Sequence, residues 1–248
     1  VRASRDEDMT ALTQGGGLPF NLNLMLEVQA LSARARKDRA VPPIALITGR
    51  PQPYLEAMQQ AAANPGPGVF EFGYGVYDLL RERSATHPAW TPAMAAVRDQ
   101  LVTRCEQEFV TGRRGRIRHG NTTSVTVIPS APDSIESLHY PSFKVSREFA
   151  ESFTLHTGPT PIDFVPRDIH KGVGVLWLAE VMQVPLSRVA VMGSASTDLP
   201  MFREAAISFA PLNAAPPVKA EAKVVARGSH TGGVIEVYQS LVAHNATF

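Results

Sequence analysis

An alternation of segment types constrains this chain most. From Lys171 onward the sequence switches between helix-like and strand-like stretches: KGVGVLWLAEVMQV, RVAVMG, LPMFREA, AISFA, then the helical PPVKAEA and GGVIEVYQSLVAH. Short apolar runs closed by glycine suit buried strands. Strands that alternate with helices imply a parallel sheet covered on both faces. The same grammar stands near the start. Leu24, Val28 and Leu31 suit one face of a helix that ends in the basic stretch SARARKDR. Ile44-Ala45-Leu46-Ile47 reads as a strand closed by Thr-Gly, Tyr54 to Ala63 as a helix ended by NPGPG, and VFEFGYGVYDLL as strand and turn. Between these halves the character changes. After a helical stretch from Pro92 to Phe109, the segments GRRGRIRHGNTTSVTVIP, SLHYPSFKVS and ESFTLHTGPTPIDFVP read as short β-rich pieces broken by turns. An α/β chain interrupted in this way implies an inserted α+β module.

Composition removes several other classes. A chain of 248 residues can bury a full core without disulfide support, and its single cysteine, Cys105, allows no internal bridge. That fits a reducing compartment, so a cytoplasmic location is expected. The net charge is +1, which steers the whole chain toward neither nucleic acid nor membrane. No apolar run approaches the ~18 residues of a membrane span. The opening VRASRDEDMT has no apolar stretch after its arginines, unlike a signal peptide, and without an initiator Met the native start upstream of Val1 stays open.

Ligands of an open parallel sheet bind at the carboxyl ends of its strands, so the residues that follow each strand are the candidates for chemistry. They are Asp6-Glu7-Asp8-Met9-Thr10, Thr48-Gly49-Arg50, Lys171-Gly172 at a helix start, and Gly193 through Asp198. These residue types support phosphoryl transfer. A carboxylate can attack phosphorus, and a second one two residues on can serve as acid and base. A hydroxyl and a lysine can hold phosphate oxygens, and hard oxygen ligands can hold Mg2+. Each piece also has a plain structural reading. An acidic tripeptide is common in loops, Thr48-Gly49 suits an ordinary turn, Lys171 a solvated helix start, and Asp198 an N-cap for LPMFREA. The basic run Arg113, Arg114, Arg116, Arg118 and His119 is either a solvated hairpin or a lid surface that meets an anion. It lacks the interleaved aromatics of a nucleic-acid surface. His139 and His156 read as structural or exposed, and Trp90 and Trp177 as packing residues.

Taken in order, DEDMT, LITGRP, HKGVGVLWLAE and VAVMGSASTDLPMF resemble the four motifs of the haloacid dehalogenase superfamily of phosphatases. The branch with an α/β cap inserted between the second and third motifs, which holds sugar-phosphate and cofactor phosphatases, is the most similar. The resemblance implies an α/β, Rossmann-like parallel core of residues 1–83 and 166–248 with an α+β cap over residues 84–165. It implies a Mg2+-dependent phosphatase for a small phosphorylated metabolite, such as a sugar phosphate, working through an aspartyl-phosphate. Asp6 would be the nucleophile and Asp8 the acid and base. Thr10 would brace their loop, Thr48 with Gly49 and Arg50 would bind the phosphoryl group, and Lys171 would neutralise it. Asp6, Asp8 and Asp198 would hold the metal, and Asn213 would line the crevice.

The sequence departs from that pattern at three places. Ser194 stands where the family has a metal-binding Asp, Met9 where it has Gly, and Arg2 and Arg5 interrupt the first strand. A neutral hydroxyl is a weaker Mg2+ ligand than a carboxylate. Asp198, Glu7 or water could make up the difference. If none does, the chain is a catalytically silent relative that binds a phosphorylated ligand or a protein partner.

Overall fold

The computed structural model describes residues 22–130, 135–158 and 161–247. The predicted Asp6, Asp8 and Thr10 lie outside the described residues.

Helix α1 (Leu22–Ala35) places Val28 against Met58 and Ala62. Residues 44–48 run alongside strand β1 (Pro67–Phe70) in parallel: Val69 N donates to Leu46 O (2.8 Å) and Thr48 N to Val69 O (2.9 Å). Helix α2 (Gln52–Ala61) lies between them, started by Pro51 and Pro53, where a missing N–H costs nothing. Asn64 Nδ2 then donates to Ile44 O (2.7 Å) and ties the helix exit back to the strand. Strands β2 (Gly75–Asp78) and β3 (Arg83–Thr86) extend this side as an antiparallel meander in the order β1-β2-β3.

The chain then leaves for the inserted unit. Helix α3 (Pro92–Cys105) begins at Thr91, whose side chain accepts from Met94 N, and widens into a π turn over Glu106–Val110. Strands β4 (Gly115–Arg118), β5 (Val125–Pro129), β6 (Phe153–Thr157) and β7 (Ile162–Pro166) form a four-stranded antiparallel sheet in the order β4-β5-β7-β6. Alternation along the strands divides its faces. Val125, Val127, Ile162, Phe164 and Phe153 pack against Leu101, Cys105 and Phe109. The opposite face carries a polar row set by register, in which Arg118 faces Thr126, Thr126 faces Asp163 and Asp163 faces His156.

SLHYPSFKVS is a correction. It is not a β-rich piece but the body of helix α4 (Glu136–Glu148), with Pro141 inside. Its buried residues are Leu138, Pro141, Ser142 and Val145. Spacings of three and four put these on one helical face, and Leu138 and Val145 join the core of the inserted unit. Burial of that face outweighs the helix-breaking tendency of a single proline.

After β7 the alternation resumes as predicted. Helix α5 (Lys171–Val181), strand β8 (Ala190–Met192), helix α6 (Leu199–Glu204), strand β9 (Ile207–Ala210), helix α7 (Pro216–Glu221), strand β10 (Val224–Val225) and helix α8 (His230–Asn245) follow in turn. The strands form a parallel sheet in the order β10-β9-β8. Helix α5 lies over both halves of the core, with Val175 in the cluster of Val191 and Met201 and Leu178 in that of Val69 and Val76. Ile47 packs against both clusters. No helix among the described residues is long and apolar enough to cross a membrane.

Candidate active site

Two loops and one helix start carry the described candidate residues. The first loop is Thr48-Gly49-Arg50. Thr48 Oγ1 accepts from Arg50 N (3.1 Å), a hydroxyl turn that curls the backbone. Its carbonyl accepts from Phe72 N (3.0 Å), and Arg50 O accepts from Glu71 N (2.9 Å). The Phe72 ring lies so close that a Cβ on Gly49 would stand 2.3 Å from it, so this position admits only glycine. Arg50 itself leans away, its guanidinium 5.2 Å from the centre of the Tyr54 ring.

Lys171 is the first residue of α5. Ahead of it, His170 is the N-cap, and its Nδ1 accepts from Val173 N (3.3 Å). An accepting nitrogen requires neutral imidazole, and burial lowers the His170 pKa from its ordinary value in the same sense. Gly73 (φ +126°) backs directly onto the His170 carbonyl, which links the Thr48 loop, through Phe72, to the start of α5.

Asp198 organises the second loop. Its Oδ1 receives Lys171 Nζ at 2.5 Å, and its Oδ2 receives Ser194 N (2.8 Å) and Ala195 N (2.9 Å). Asp198 occupies the N-cap position of α6, but its side chain makes no capping bond there. It turns back on its own loop instead. The close approach depends on Gly193, where a Cβ would stand 2.4 Å from Asp198 Cβ. The ion pair is largely buried, and removal of one partner from such a pair costs about 3–5 kcal/mol.

Two predicted residues sit to one side. Ser194 is exposed, with its carbonyl accepting from Ala215 N (3.2 Å). Asn213 is exposed too and holds the start of α8: its Oδ1 accepts from His230 N (2.7 Å) and its amide nitrogen lies 3.2 Å from His230 Nδ1.

Of the residues expected to hold Mg2+, Asp198 alone is among the described ones; Asp6 and Asp8 lie outside them. No group of three His, Cys, Asp or Glu side chains converges among the described residues. Both carboxylate oxygens of Asp198 are committed, to a lysine and to two backbone amides, and Ser194 adds no charge.

The inserted unit supplies side chains that sequence reasoning missed. His156, on β6, reaches the second loop with Nδ1 3.5 Å from Ser196 Oγ. Burial lowers its pKa; Lys171 and His170 act in the same direction, against Asp163 and Asp198. On the other side, Asn121 Nδ2 donates to Gly49 O (3.2 Å). The inserted unit thus reaches both loops, and on the polar face of its sheet Thr126 Oγ1 donates to Asp163 Oδ1 (2.6 Å) and Arg118 lies 3.9 Å from the same oxygen. In ESFTLHTG the alternation Phe153, Leu155 leaves His156 on the polar face, the one signal that could have found it.

Comparison with known proteins agrees with this architecture. Residues 122–237 match the haloacid dehalogenase-like hydrolase family. Over 95 residues, 38% of this chain and 35% of the relative, the chain is 35% identical to the 5-amino-6-(5-phospho-D-ribitylamino)uracil phosphatase YbjI of Escherichia coli K12. It is 29% identical over 116 residues to a phosphoglycolate phosphatase of Methanothrix thermoacetophila, 47% of each chain. These curated relatives are therefore matched over half of their own length or less. The sucrose-phosphatase of Synechocystis sp. PCC6803 shares the fold at a TM-score of 0.67 and 15% identity, over 90% of this chain and 92% of that one. Residues 122–237 are thus similar to the haloacid dehalogenase-like hydrolases, and the fold of the chain is one it shares with the sucrose-phosphatase.

Proposed function

We propose that this protein is a phosphatase that hydrolyses a small phosphorylated metabolite, of the sugar-phosphate class, through an aspartyl-phosphate on Asp6. The observation that carries the reading is the Lys171–Asp198 pair at the start of α5, because it fixes an ammonium group against the loop of Gly193 through Asp198. Asp6 attacks phosphorus while Asp8 protonates the departing alkoxide. Asp8 then takes a proton from the water that cleaves the acyl phosphate. Lys171 and the Thr48 hydroxyl offset the charge that builds on the phosphoryl oxygens. The relatives' activities, on a phosphoribitylamino-uracil and on phosphoglycolate, support a small phosphate monoester as substrate. The division into a core of residues 1–83 and 166–248 and a cap of 84–165 belongs to the same reading, supported by the separate apolar cluster of the inserted unit, with β3 (Arg83–Thr86) paired on the core side of the first boundary. A Mg2+ requirement rests on Asp6 and Asp8, and no step of the hydrolysis is assigned to the ion.

The commitment of Asp198 and the hydroxyl at Ser194 favour one rival, a silent relative that binds a phosphorylated ligand or a protein partner. Phosphate release from an aryl phosphate separates the two, measured with and without Mg2+ for the unaltered chain, Asp6→Asn and Lys171→Ala. An enzyme loses turnover by at least about a hundredfold in either variant, in line with loss of a nucleophile or of a charge-stabilising group. Equal release from all three would overturn the catalytic reading and leave the binding one.

A further inference from the structure

Glu71 belongs to the core, directly after β1, and is buried to 2% exposure. Its carboxylate nevertheless serves the cap. Oε2 accepts from Thr122 N (2.8 Å), Thr123 N (2.8 Å) and Thr123 Oγ1 (3.0 Å), all in the turn between β4 and β5. The backbone of Glu71 and its neighbour faces the other way. Glu71 N donates to Arg50 O and Phe72 N to Thr48 O. One residue thus grips the cap turn with its side chain and the Thr48–Arg50 loop with its main chain. A second tie runs in parallel, from Arg98 Nη2 to Asn121 O (3.0 Å) and from Asn121 Nδ2 to Gly49 O (3.2 Å).

Two features mark the junction as a latch and not as ordinary packing. Glu71 and Phe72 hold left-handed backbone, with φ of 44° and 61°. Non-glycine residues keep such conformations only where surrounding contacts over-determine them. Polar atoms are also left buried without a partner at this seam, Arg98 Nε and Asn121 Oδ1. Water would satisfy both if the cap lifted, and would take the place of the three donors on Glu71.

We infer that Glu71 is a positioning residue, a catch that makes the shape of the Thr48–Arg50 loop depend on the cap being seated. The inference rests on the reading of that loop as the phosphoryl-binding loop. With the cap down, the carboxylate is filled and the left-handed pair is held, so the loop is curled for an anion. With the cap raised, the pair loses its anchor and the loop relaxes. Phosphate is therefore gripped firmly only under a closed lid, when bulk water is excluded.

Amide hydrogen exchange on the full chain tests this without turnover, so a catalytically silent protein leaves the test intact. Glu71→Gln keeps the shape and removes the charge, and the Thr122 and Thr123 amides should exchange at least tenfold faster. Thr123→Val changes only the cap and is close to isosteric, which guards against a variant that fails to fold. It should speed exchange of the Arg50 and Phe72 amides severalfold, although Thr123 touches neither, while amides in α5 stay as they were. Unchanged exchange at Arg50 and Phe72 in Thr123→Val, or equal acceleration throughout the chain, would overturn the coupling.

Discussion

The cap and the core bury their apolar residues in different ways. In the cap, eleven buried residues from α3 and its π turn, from α4 and its N-cap Ile135, and from all but one of its strands form one continuous cluster, with Ile117 of β4 packed at its margin. In the core, the described residues fall into five smaller clusters of three to seven buried side chains each, arranged around α5 and the two half-sheets. A single cluster gives a rigid lid that moves or stays as one body. Several small clusters joined by glycine seams leave loop ends free to be shaped by polar contacts, and the candidate chemistry gathers there.

The contrast can be broken most directly at the centre of the cap. Phe164→Ala should cost about 3–5 kcal/mol. If the clusters are as separate as they look, loss of exchange protection will concentrate in β4–β7, α3 and α4. Equal loss in α5 and β8 by the same measurement would merge the two bodies into one. On the core side, Ser194→Asp returns a carboxylate to the exposed lip of the second loop. Calorimetric titration should show Mg2+ bound about tenfold more tightly, roughly 1.4 kcal/mol. No gain would mean that the loop, with Asp198 turned inward, is built around Lys171 alone.

The seam between the bodies makes a smaller effect with a definite sign. Burial keeps His156 and His170 neutral in the folded protein, with pKa values below the ordinary 6.5. Below that value the unfolded chain binds more protons than the folded one, so stability falls as the pH drops through this window and is unaffected by these groups above it. Thermal midpoints measured from about pH 7.5 to 5 should decline, and His156→Gln should flatten part of that decline. The least effect is expected inside the cap. Cys105 is fully buried and its thiol is pushed up to about 12, mainly by desolvation. It should stay inert to a thiol reagent at neutral pH until the protein unfolds, whereas rapid labelling would show a cap looser than its single cluster implies.

Much of this arrangement was legible in the residues. The alternation after Lys171 predicted every helix and the strands β8 and β9 in their right order, because apolar period and glycine punctuation are local signals. Thr48, Lys171 and Asp198 were singled out as candidates for the same reason, each standing at the end of a strand or the start of a helix. SLHYPSFKVS misled because proline is a strong local breaker, while the helical spacing of Leu138, Pro141, Ser142 and Val145 matters only once there is a cluster to bury it. Glu71 and His156 could not be reached in this way. A lone acid after a strand and a histidine within one acquire a role only through partners 52 and 40 positions away.

One seam has a consequence of its own. Helices α5 and α6 meet where Gly172 faces the Pro200 carbonyl, and a Cβ built on Gly172 would lie 2.9 Å from that oxygen. Lys171 directly precedes Gly172 and Asp198 is the N-cap of α6, two residues before Pro200, and they meet because the helices can draw this near. A single methyl at position 172 would act as a shim, prising the jaws apart and parting the ammonium from its carboxylate without altering either group.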